Sequence, residues 1–292
     1  PGTREGDEAP PPPRLPKQFD TGFRTHNTNV FPERPDRAFV GYIDGGAVVL
    51  DISDMSNIKV VSQWNHSPPF NGFTHTVLPL FDRGLWIVSD ECVQDNGADW
   101  PKLVWVVDAR NEANPVPIGT FPAPSYDAFA KRGGRFGAHN LHENLPGPTS
   151  FRSDTLIVGS FFNAGVRVYD TSNPYQVQEI AYFVPGAPKL SPAGAIQLND
   201  VYVDDRRIVY TVDRFTGELH GKLVDRLVHV HHQQVHAVAL ATAAALDTVD
   251  IDRRKRAVLA AVQPIEPEPR VEMRHEGWYG IMGRRHMGAH FD

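Results

Sequence analysis

The sequence contains a single cysteine, Cys92, among its 292 residues. One cysteine excludes an intramolecular disulfide framework and any zinc or redox site built on paired cysteines. The chain also lacks an apolar run of about 18 residues, the length at which a membrane-spanning helix is expected. Its most apolar stretch, residues 235–246, is short and rich in alanine. We therefore expect no disulfide-stapled fold and no membrane span.

Basic charge is also scarce. The chain has 29 Lys and Arg against 35 Asp and Glu, which gives a formal net charge of −6. Nucleic-acid phosphates are usually bound by clustered Lys and Arg, and no basic stripe interleaved with aromatic residues is present. We therefore set nucleic acid aside as a partner.

Several catalytic motifs are missing as well. The sequence has no G-x-S-x-G turn, no phosphate-binding loop of the G-x-x-x-x-G-K-[ST] type and no H-E-x-x-H helix. Serine hydrolases, P-loop enzymes and common metalloproteases are therefore not supported. The compartment stays open, with an exported or periplasmic protein favoured. Because the sequence begins at Pro1 without methionine, we expect a processed or shortened N-terminus.

A short pattern recurs along the chain. Glycine-rich residues 133–137 lead to His139, His142 and Glu143, and a β-patterned run follows. Similar segments surround His26 and His75, and a segment without histidine ends at Asp200. The intervals of roughly 50 to 65 residues predict a repeat protein.

Each repeat contains up to four short β-patterned runs with turn residues between them. In the third unit these runs are residues 155–160, 166–170 and 177–183. In the first unit, residues 38–43 and 47–52 flank Asp-Gly-Gly, which is a strong hairpin signal. Several such units predict an all-β fold of the β-propeller type. We divide the chain into a proline-rich lead-in (1–22), blades (23–219) and a less regular C-terminal region (220–292).

Residues 47–54 and 165–174, each followed by a β-patterned run, resemble the LVIVD repeat of bacterial β-propeller proteins. The resemblance covers roughly residues 23 to 217 and implies a propeller fold. The chain is also similar in appearance to propellers of the methanethiol oxidase or selenium-binding family. That likeness implies histidines that hold a metal in the central channel.

The pattern yields three full units and part of a fourth, which is few for a closed ring. We expect the ring to be completed by the C-terminal region, by further blades or by a second chain, so that a homo-oligomer is one solution. Past residue 219 the β pattern stops.

Residues at equivalent places in successive blades point toward a common axis. His26, His75 and His139 occupy such places, and we expect Asp200 at the fourth. Three imidazoles and a carboxylate suit a transition metal such as iron, copper or zinc. The alternative is that these histidines bond backbone groups between blades.

Other polar residues have two interpretations each. His142 and Glu143 are candidate proton-transfer residues or second-shell partners of the metal, or parts of a solvated loop. The strand-end carboxylates of Asp90, Glu91 and Asp213 either act as acid, base or cation ligand, or shape turns. Three further sets of residues also have two interpretations each.

Arg135 and Arg214 either bind an anionic substrate or cover apolar surface. The histidine-rich residues 229–236 and the pair His286 and His290 favour adventitious metal affinity over a functional site.

We conclude from the sequence that the chain is a metal-dependent enzyme acting on a small molecule in a propeller channel. An oxidoreductase is favoured over a lyase or hydrolase, by analogy with metal-bearing propellers. The alternative is a non-catalytic exported or surface propeller that binds a protein or glycan.

Overall fold

The computed structural model describes residues 22–224 and the two-residue strand at 228–229. Most regular structure in this part of the chain is β-strand. A four-residue helix, α1 (Tyr126–Phe129), begins where Ser125 Oγ accepts a hydrogen bond from the amide of Ala128. Such a cap satisfies an amide that has no partner inside the helix. Short 3-10 turns lie at Phe81–Arg83 and Ala130–Arg132.

The strands up to residue 223 form antiparallel sheets, and within each of these sheets a strand lies beside the strands that precede and follow it in sequence. Blade 1 consists of β1 (Thr28–Phe31), β2 (Arg34–Gly41), β3 (Ala47–Asp51) and β4 (Lys59–Trp64). Blade 2 consists of β5 (Thr74–Leu80), β6 (Leu85–Asp90), β7 (Val104–Asp108) and β8 (Val116–Thr120). Blade 3 contains β9 (Leu156–Ser160), β10 (Val166–Asp170) and β11 (Gln178–Phe183). Blade 4 contains β12 (Leu198–Val203), β13 (Ile208–Asp213) and β14 (Leu219–Leu223).

Blade 3 has two additions at its edges. On the inner side, residues 139–142 run beside β9, with the His139 amide donating to Ser160 O at 3.0 Å and the His142 amide donating to Val158 O at 2.8 Å. On the outer side, β15 (Val228–His229) pairs with β11. Blade 3 therefore starts with an inner segment that corresponds to β1, β5 and β12.

Successive blades are joined where their inner strands begin. Isolated bridges connect Ile43 to Thr74 and Phe162 to Leu198. The inner strand β5 is buried along its whole length, whereas the outer strands β4 and β8 are largely exposed. Four-stranded meanders that follow one another around buried first strands define a β-propeller. The predicted fold class is confirmed.

The core lies between the blades. One apolar cluster includes Phe39, Trp86 and Tyr169 and connects blades 1, 2 and 3, and a second, around Val166 and Leu198, connects blades 3 and 4. Each fully buried large apolar side chain contributes about 1.5–3 kcal/mol to folding. The blade-to-blade spacing, and with it the position of every residue at the strand starts, is held by these contacts.

The last blade extends further than the sequence pattern indicates. Strand β14 continues to Leu223 and pairs with β13 from Val212↔Leu219 to Ile208↔Leu223. The predicted boundary at 219 therefore falls inside blade 4. The lead-in up to residue 21, and residues after 224 other than β15, lie outside the described residues. Within the described ranges, no helix is long and apolar enough to cross a membrane.

Candidate metal centre

Each inner strand begins with an irregularity in its pairing. In blade 2, Thr74 pairs with Asp90 and Thr76 with Ser89, so His75 stands between two paired residues without a partner of its own. A bulge of this kind turns a side chain away from the regular alternation and is frequent beside functional sites. The bulge aims His75 toward the middle of the blades.

The same arrangement recurs in the other blades. The His26 amide donates to Gly41 O at 2.8 Å, and the Gly41 amide donates to the carbonyl of Asn27, the residue after His26. His139 and Ser160 repeat this pattern, with the Ser160 amide donating to the carbonyl of Asn140. In blade 4 the bulged residue is Asn199. Register therefore makes His26, His75, His139 and Asn199 equivalent.

Gly41 allows blades 1 and 2 to approach each other at this level. A Cβ atom at Gly41 would lie 2.0 Å from His75 O and 2.9 Å from Thr74 O. Only glycine fits at such a distance from another backbone. Gly41 thus positions two histidines. Its carbonyl accepts from the His26 amide, and its lack of a side chain lets the backbone of His75 lie against it.

The three histidine rings meet beside one carboxylate. Ring centroids are 4.3 Å apart for His26 and His75 and 4.6 Å apart for His75 and His139. The Nε2 atoms of His26, His75 and His139 lie 3.7, 3.8 and 3.4 Å from carboxylate oxygens of Glu91. The structure therefore brings the three sequence-predicted histidines together, and it adds Glu91.

The Nδ1 atom of each ring has a polar partner on the other side. These partners are Asn27 Oδ1 at 3.3 Å for His26, Thr76 Oγ1 at 2.7 Å for His75 and Asn199 O at 2.6 Å for His139. A carbonyl oxygen only accepts, so Nδ1 of His139 carries the proton. In the neutral ring, Nε2 is then left with a lone pair that faces Glu91. Holding Nδ1 in this way is how proteins orient imidazoles that bind metals.

The surroundings keep two of the rings neutral. Burial lowers the pKa of His139 from 6.5 to about 3, and the positive charges of Arg214 and Arg135 add to the effect. Burial, followed by the neighbouring His139 and His26, lowers the pKa of His75 well below its ordinary value. Burial disfavours the charged imidazolium because it removes water.

The donor set fits a metal ion. His26, His75 and Glu91 offer ligand atoms that all lie within 4.8 Å of one another. Two ligands about 2.1 Å from a shared ion at a tetrahedral angle lie about 3.4 Å apart, close to the spacing of 3.4 to 3.8 Å between the imidazoles and Glu91. His139 is not one of that group of three, although its Nε2 lies 3.4 Å from Glu91 Oε1, which also accepts a hydrogen bond from Arg135 Nη1 at 2.7 Å.

The group is open on one side. The side chain of His26 is 35% exposed, whereas those of His75 and His139 are 3% and 6% exposed. A small molecule can therefore approach from the side of His26, whereas the rings of His75 and His139 are shielded from solvent.

The two adjacent carboxylates at the end of β6 serve different purposes. Asp90 Oδ2 accepts hydrogen bonds from the amide of Leu103 and from Trp105 Nε1, which is the turn-shaping alternative. Glu91 faces the histidines and accepts from Arg135 Nη1 at 2.7 Å. The strand-end position of Glu91 predicted an acid, a base, a cation ligand or a turn-shaping residue, without linking it to the three histidines. Its position directly after an inner hairpin was the available signal.

Asp200 is not the residue that register makes equivalent to the three histidines. Register places it at the position of Thr76, one residue after Asn199, which corresponds to His75. Its Oδ1 accepts from the amide of Val201 at 2.8 Å, and burial raises the pKa of the carboxyl. The prediction that Asp200 is a fourth ligand stays a prediction.

His142 is bound to the backbone through both ring nitrogens. Its Nε2 lies 2.7 Å from Phe151 O, and its Nδ1 accepts from the amide of Val203 at 3.2 Å. These bonds connect the blade 3 loop to β12, and burial lowers the pKa of the ring. The geometry favours a structural part for His142 over the predicted transfer of protons.

Glu143 is placed behind the histidines. Its Oε1 lies 3.1 Å from Asn29 Nδ2 and 3.5 Å from Asn27 Nδ2. Both asparagines lie at the start of blade 1, so the carboxylate connects the segment before β9 to blade 1. This position fits the second-shell alternative.

Asn27 links Glu143 to two of the rings. Its Nδ2 donates to Thr76 Oγ1 at 3.1 Å, and Thr76 Oγ1 lies 2.7 Å from Nδ1 of His75. Its Oδ1 is the partner of His26 Nδ1. A single amide therefore orients the histidines of blades 1 and 2.

The remaining candidates are one described carboxylate, Asp213, and histidines near the C-terminal end of the sequence. Asp213 accepts from the backbone amides of Gln197, Phe215 and Thr216 and shapes its turn. The histidine-rich residues 229–236 and the pair at 286 and 290 lie outside the described residues, apart from the backbone of His229 in β15.

Comparison with known proteins adds little. No protein-family model and no curated protein sequence matches the chain. The β-propeller domain of Cps50 (Swd1) from Myceliophteria thermophila is 10% identical, with a TM-score of 0.46, over 74% of this chain and 58% of that one. A structure of S. cerevisiae dbp5 bound to nup159, gle1, IP6 and ADP is 7% identical, with a TM-score of 0.32, over 71% and 47%. The chain thus spans less than two thirds of either structure. Its class, a β-propeller with clustered histidines, is defined by its own sheets and side chains.

Proposed function

We propose that the chain is a metal-dependent enzyme in which His26, His75 and His139, with Glu91, hold a transition-metal ion that acts on a small molecule. The observation that carries this proposal is the convergence of three imidazole Nε2 atoms on one buried carboxylate at 3.4 to 3.8 Å. Structural histidines usually bond backbone groups, as His142 does here. The three converging rings keep their Nε2 atoms for a common centre.

The donor set limits the metal and the chemistry. Three neutral imidazoles and a carboxylate suit iron, copper or zinc. When bound, such an ion supplies Lewis acidity and, for iron or copper, electron transfer. We favour an oxidoreductase over a lyase or hydrolase by analogy with metal-bearing propellers of similar appearance.

The chain's own residues would position the reactants. Glu91 accepts a hydrogen bond from Arg135 Nη1, which would hold the carboxylate facing the three rings. Asn27 and Glu143 fix the ring planes of His26 and His75. The buried walls exclude water on one side, and the exposed edge of His26 admits the substrate.

Metal content tests the proposal. Purified protein, dialysed against a chelator and reloaded separately with iron, copper or zinc, is analysed by elemental mass spectrometry. We expect one ion per chain to be retained by the wild type, and retention to fall in His75→Ala and in His139→Ala. Each variant is checked for folding by circular dichroism.

A matched control separates this centre from adventitious binding by the histidine-rich C-terminal region. Replacing His229, His231 and His232 by alanine is expected to leave the retained ion in place. Equal retention by the wild type, His75→Ala and His139→Ala would contradict the proposal. A wild type that retains no ion would instead favour the non-catalytic binding propeller.

A further inference from the structure

Lys102 and Asp99 form an ion pair that is almost completely buried. Their side chains are 1% and 4% exposed, and Lys102 Nζ lies 3.4 Å from Asp99 Oδ2. The same Nζ donates to Gly72 O at 2.9 Å. Apolar residues of similar volume often replace a buried ion pair at no cost in stability. The pair therefore calls for a role other than stability alone.

The ammonium group of Lys102 holds the segment that leads to His75. Gly72 and Phe73 directly precede Thr74 and His75, and their φ angles of 66° and 64° are left-handed. That conformation costs a non-glycine residue such as Phe73 energy. Lys102 Nζ bonds the Gly72 carbonyl and lies 5.8 Å from the centroid of the Phe73 ring. Lys102 thus holds a strained turn just before the bulge at His75.

The carboxylate of Asp99 holds the segment that follows Glu91. Asp99 Oδ2 accepts from the amide of Val93 at 2.8 Å, and Asp99 Oδ1 lies 3.2 Å from Cys92 Sγ. Burial, and then the charge of Asp99, raises the pKa of the Cys92 thiol, so the thiol keeps its proton and donates to the carboxylate. The two residues after Glu91 are therefore both bound to Asp99.

The segment that leads to His139 packs against the same residues. A Cβ atom at Gly137, two residues before His139, would lie 2.9 Å from Cys92 Cβ and 3.0 Å from Lys102 Cβ. The Cys92 amide also donates to Ala138 O at 3.1 Å. Three of the segments that carry proposed ligands therefore contact the buried pair or the cysteine bound to it.

We propose that Lys102 and Asp99 are positioning residues, which keep the segments of three proposed metal ligands in their present arrangement. Those ligands are His75, Glu91 and His139. This inference rests on the proposed function, since it assigns the pair a part in shaping the metal centre. A buried polar network in which each group has its partners is rigid and specifies one geometry. Loss of this pair should therefore disturb the ligand positions more than loss of an equally buried pair elsewhere.

Zinc affinity, measured by competition with a chelator, tests the proposal on two matched double variants. Lys102→Met/Asp99→Asn removes both charges together and leaves neither buried without its partner. The control is Arg167→Met/Glu179→Gln in blade 3, where Arg167 Nη1 lies 2.8 Å from Glu179 Oε1 and the other guanidinium bonds go to Ala164 O. We expect the first variant to bind zinc about tenfold more weakly than the wild type, as when the support of a ligand is lost. The control should match the wild type.

A second readout needs no metal. Long-range ¹H–¹⁵N NMR spectra of metal-free protein labelled with ¹⁵N-histidine report the surroundings of each ring, and comparison with His75→Gln identifies the His75 signals. We expect these signals to move in Lys102→Met/Asp99→Asn and to stay in place in the control. Circular dichroism checks the folding of every variant. If the first double variant does not fold, Asp99→Asn alone is measured in the same way, with a severalfold loss of zinc affinity expected.

Equal zinc affinities of the two double variants would overturn the positioning role, whether both match the wild type or both fall below it. In that case the metal centre itself still stands, because the wild type binds zinc. If the wild type binds no zinc, the metal centre fails, and the NMR spectra decide the positioning role. His75 signals that stay in place in the first variant, or that move equally in the control, would then overturn it.

Discussion

Replacing Gly41 by alanine is expected to damage the histidine group from outside it. The new Cβ would lie 2.0 Å from His75 O, 2.5 Å from His75 C and 2.9 Å from Thr74 O. Ordinary contacts begin at about 3.4 Å, so the backbone of β5 or β2 must move by more than about 1 Å. All three neighbours are main-chain atoms, which cannot rotate aside as a side chain does.

The expected cost has two parts. Forcing an extra methyl group into a filled site lowers the free energy of unfolding by about 1–3 kcal/mol. The Gly41 carbonyl also accepts from the His26 amide, so the displacement separates His26 from His75. We therefore expect metal affinity to fall by tenfold or more, because ligand positions must match to within about 0.5 Å.

Two assays separate these parts. Urea unfolding of metal-free protein gives the stability change, and competition with a chelator gives the metal affinity. The control is Gly186→Ala, since a Cβ there meets no atom within 4 Å. If Gly41→Ala behaves like Gly186→Ala in both assays, the argument that this glycine positions the histidines is refuted.

Three further outcomes are expected. Asn27→Ala should weaken metal binding severalfold, with metal content at saturation unchanged, because His26 and His75 lose the amide that orients them. Competition with a chelator measures the affinity. Equal metal affinities of the wild type and Asn27→Ala would contradict this role of Asn27. In metal-free protein the free energy of unfolding should fall as the pH is lowered from the ordinary His value of 6.5 toward the folded pKa of about 3 for His139, since the unfolded chain then binds more protons. His139→Gln should reduce that loss in urea unfolding at about pH 7 and about pH 4.5, and an unchanged loss would contradict the assignment. Arg83→Ala should lower the free energy of unfolding by about 1–3 kcal/mol, because the Arg83 guanidinium donates to the carbonyls of Asp154 and Thr171 in the next blade. Arg110→Ala, at an exposed position, should change the free energy of unfolding little. Equal effects of the two substitutions in urea unfolding would refute this prediction.

The parts of the fold that follow local rules could be predicted from the sequence. The hairpin of β2 and β3 is indicated by the Asp-Gly-Gly turn, and the pairing Gly41↔Ala47 confirms it. The recurrence of one segment at His26, His75 and His139 predicted that these residues lie at equivalent places. Register then replaced Asp200 by Asn199 at the fourth place, because a bulge shifts pairing by one residue and local sequence does not fix it.

The parts that depend on distant contacts could not be predicted. Strand β14 has a weak strand pattern and forms because β13 offers it a pairing edge. His142 resembles a proton-transfer residue in sequence, yet its Nδ1 is taken by the amide of Val203, which is 61 residues away. Glu91 and the neighbouring Asp90 look alike in sequence. Only the three-dimensional structure separates them, because Arg135, His26 and His139 approach Glu91 from outside blade 2.

X-ray absorption at the metal edge of the reloaded wild-type protein tests the central claim most directly. The account expects three imidazole nitrogens at about 2.0–2.1 Å and a carboxylate oxygen, with the imidazole scattering reduced by one ring in His139→Ala. A spectrum without imidazole scattering, or one that His139→Ala leaves unchanged, would contradict it.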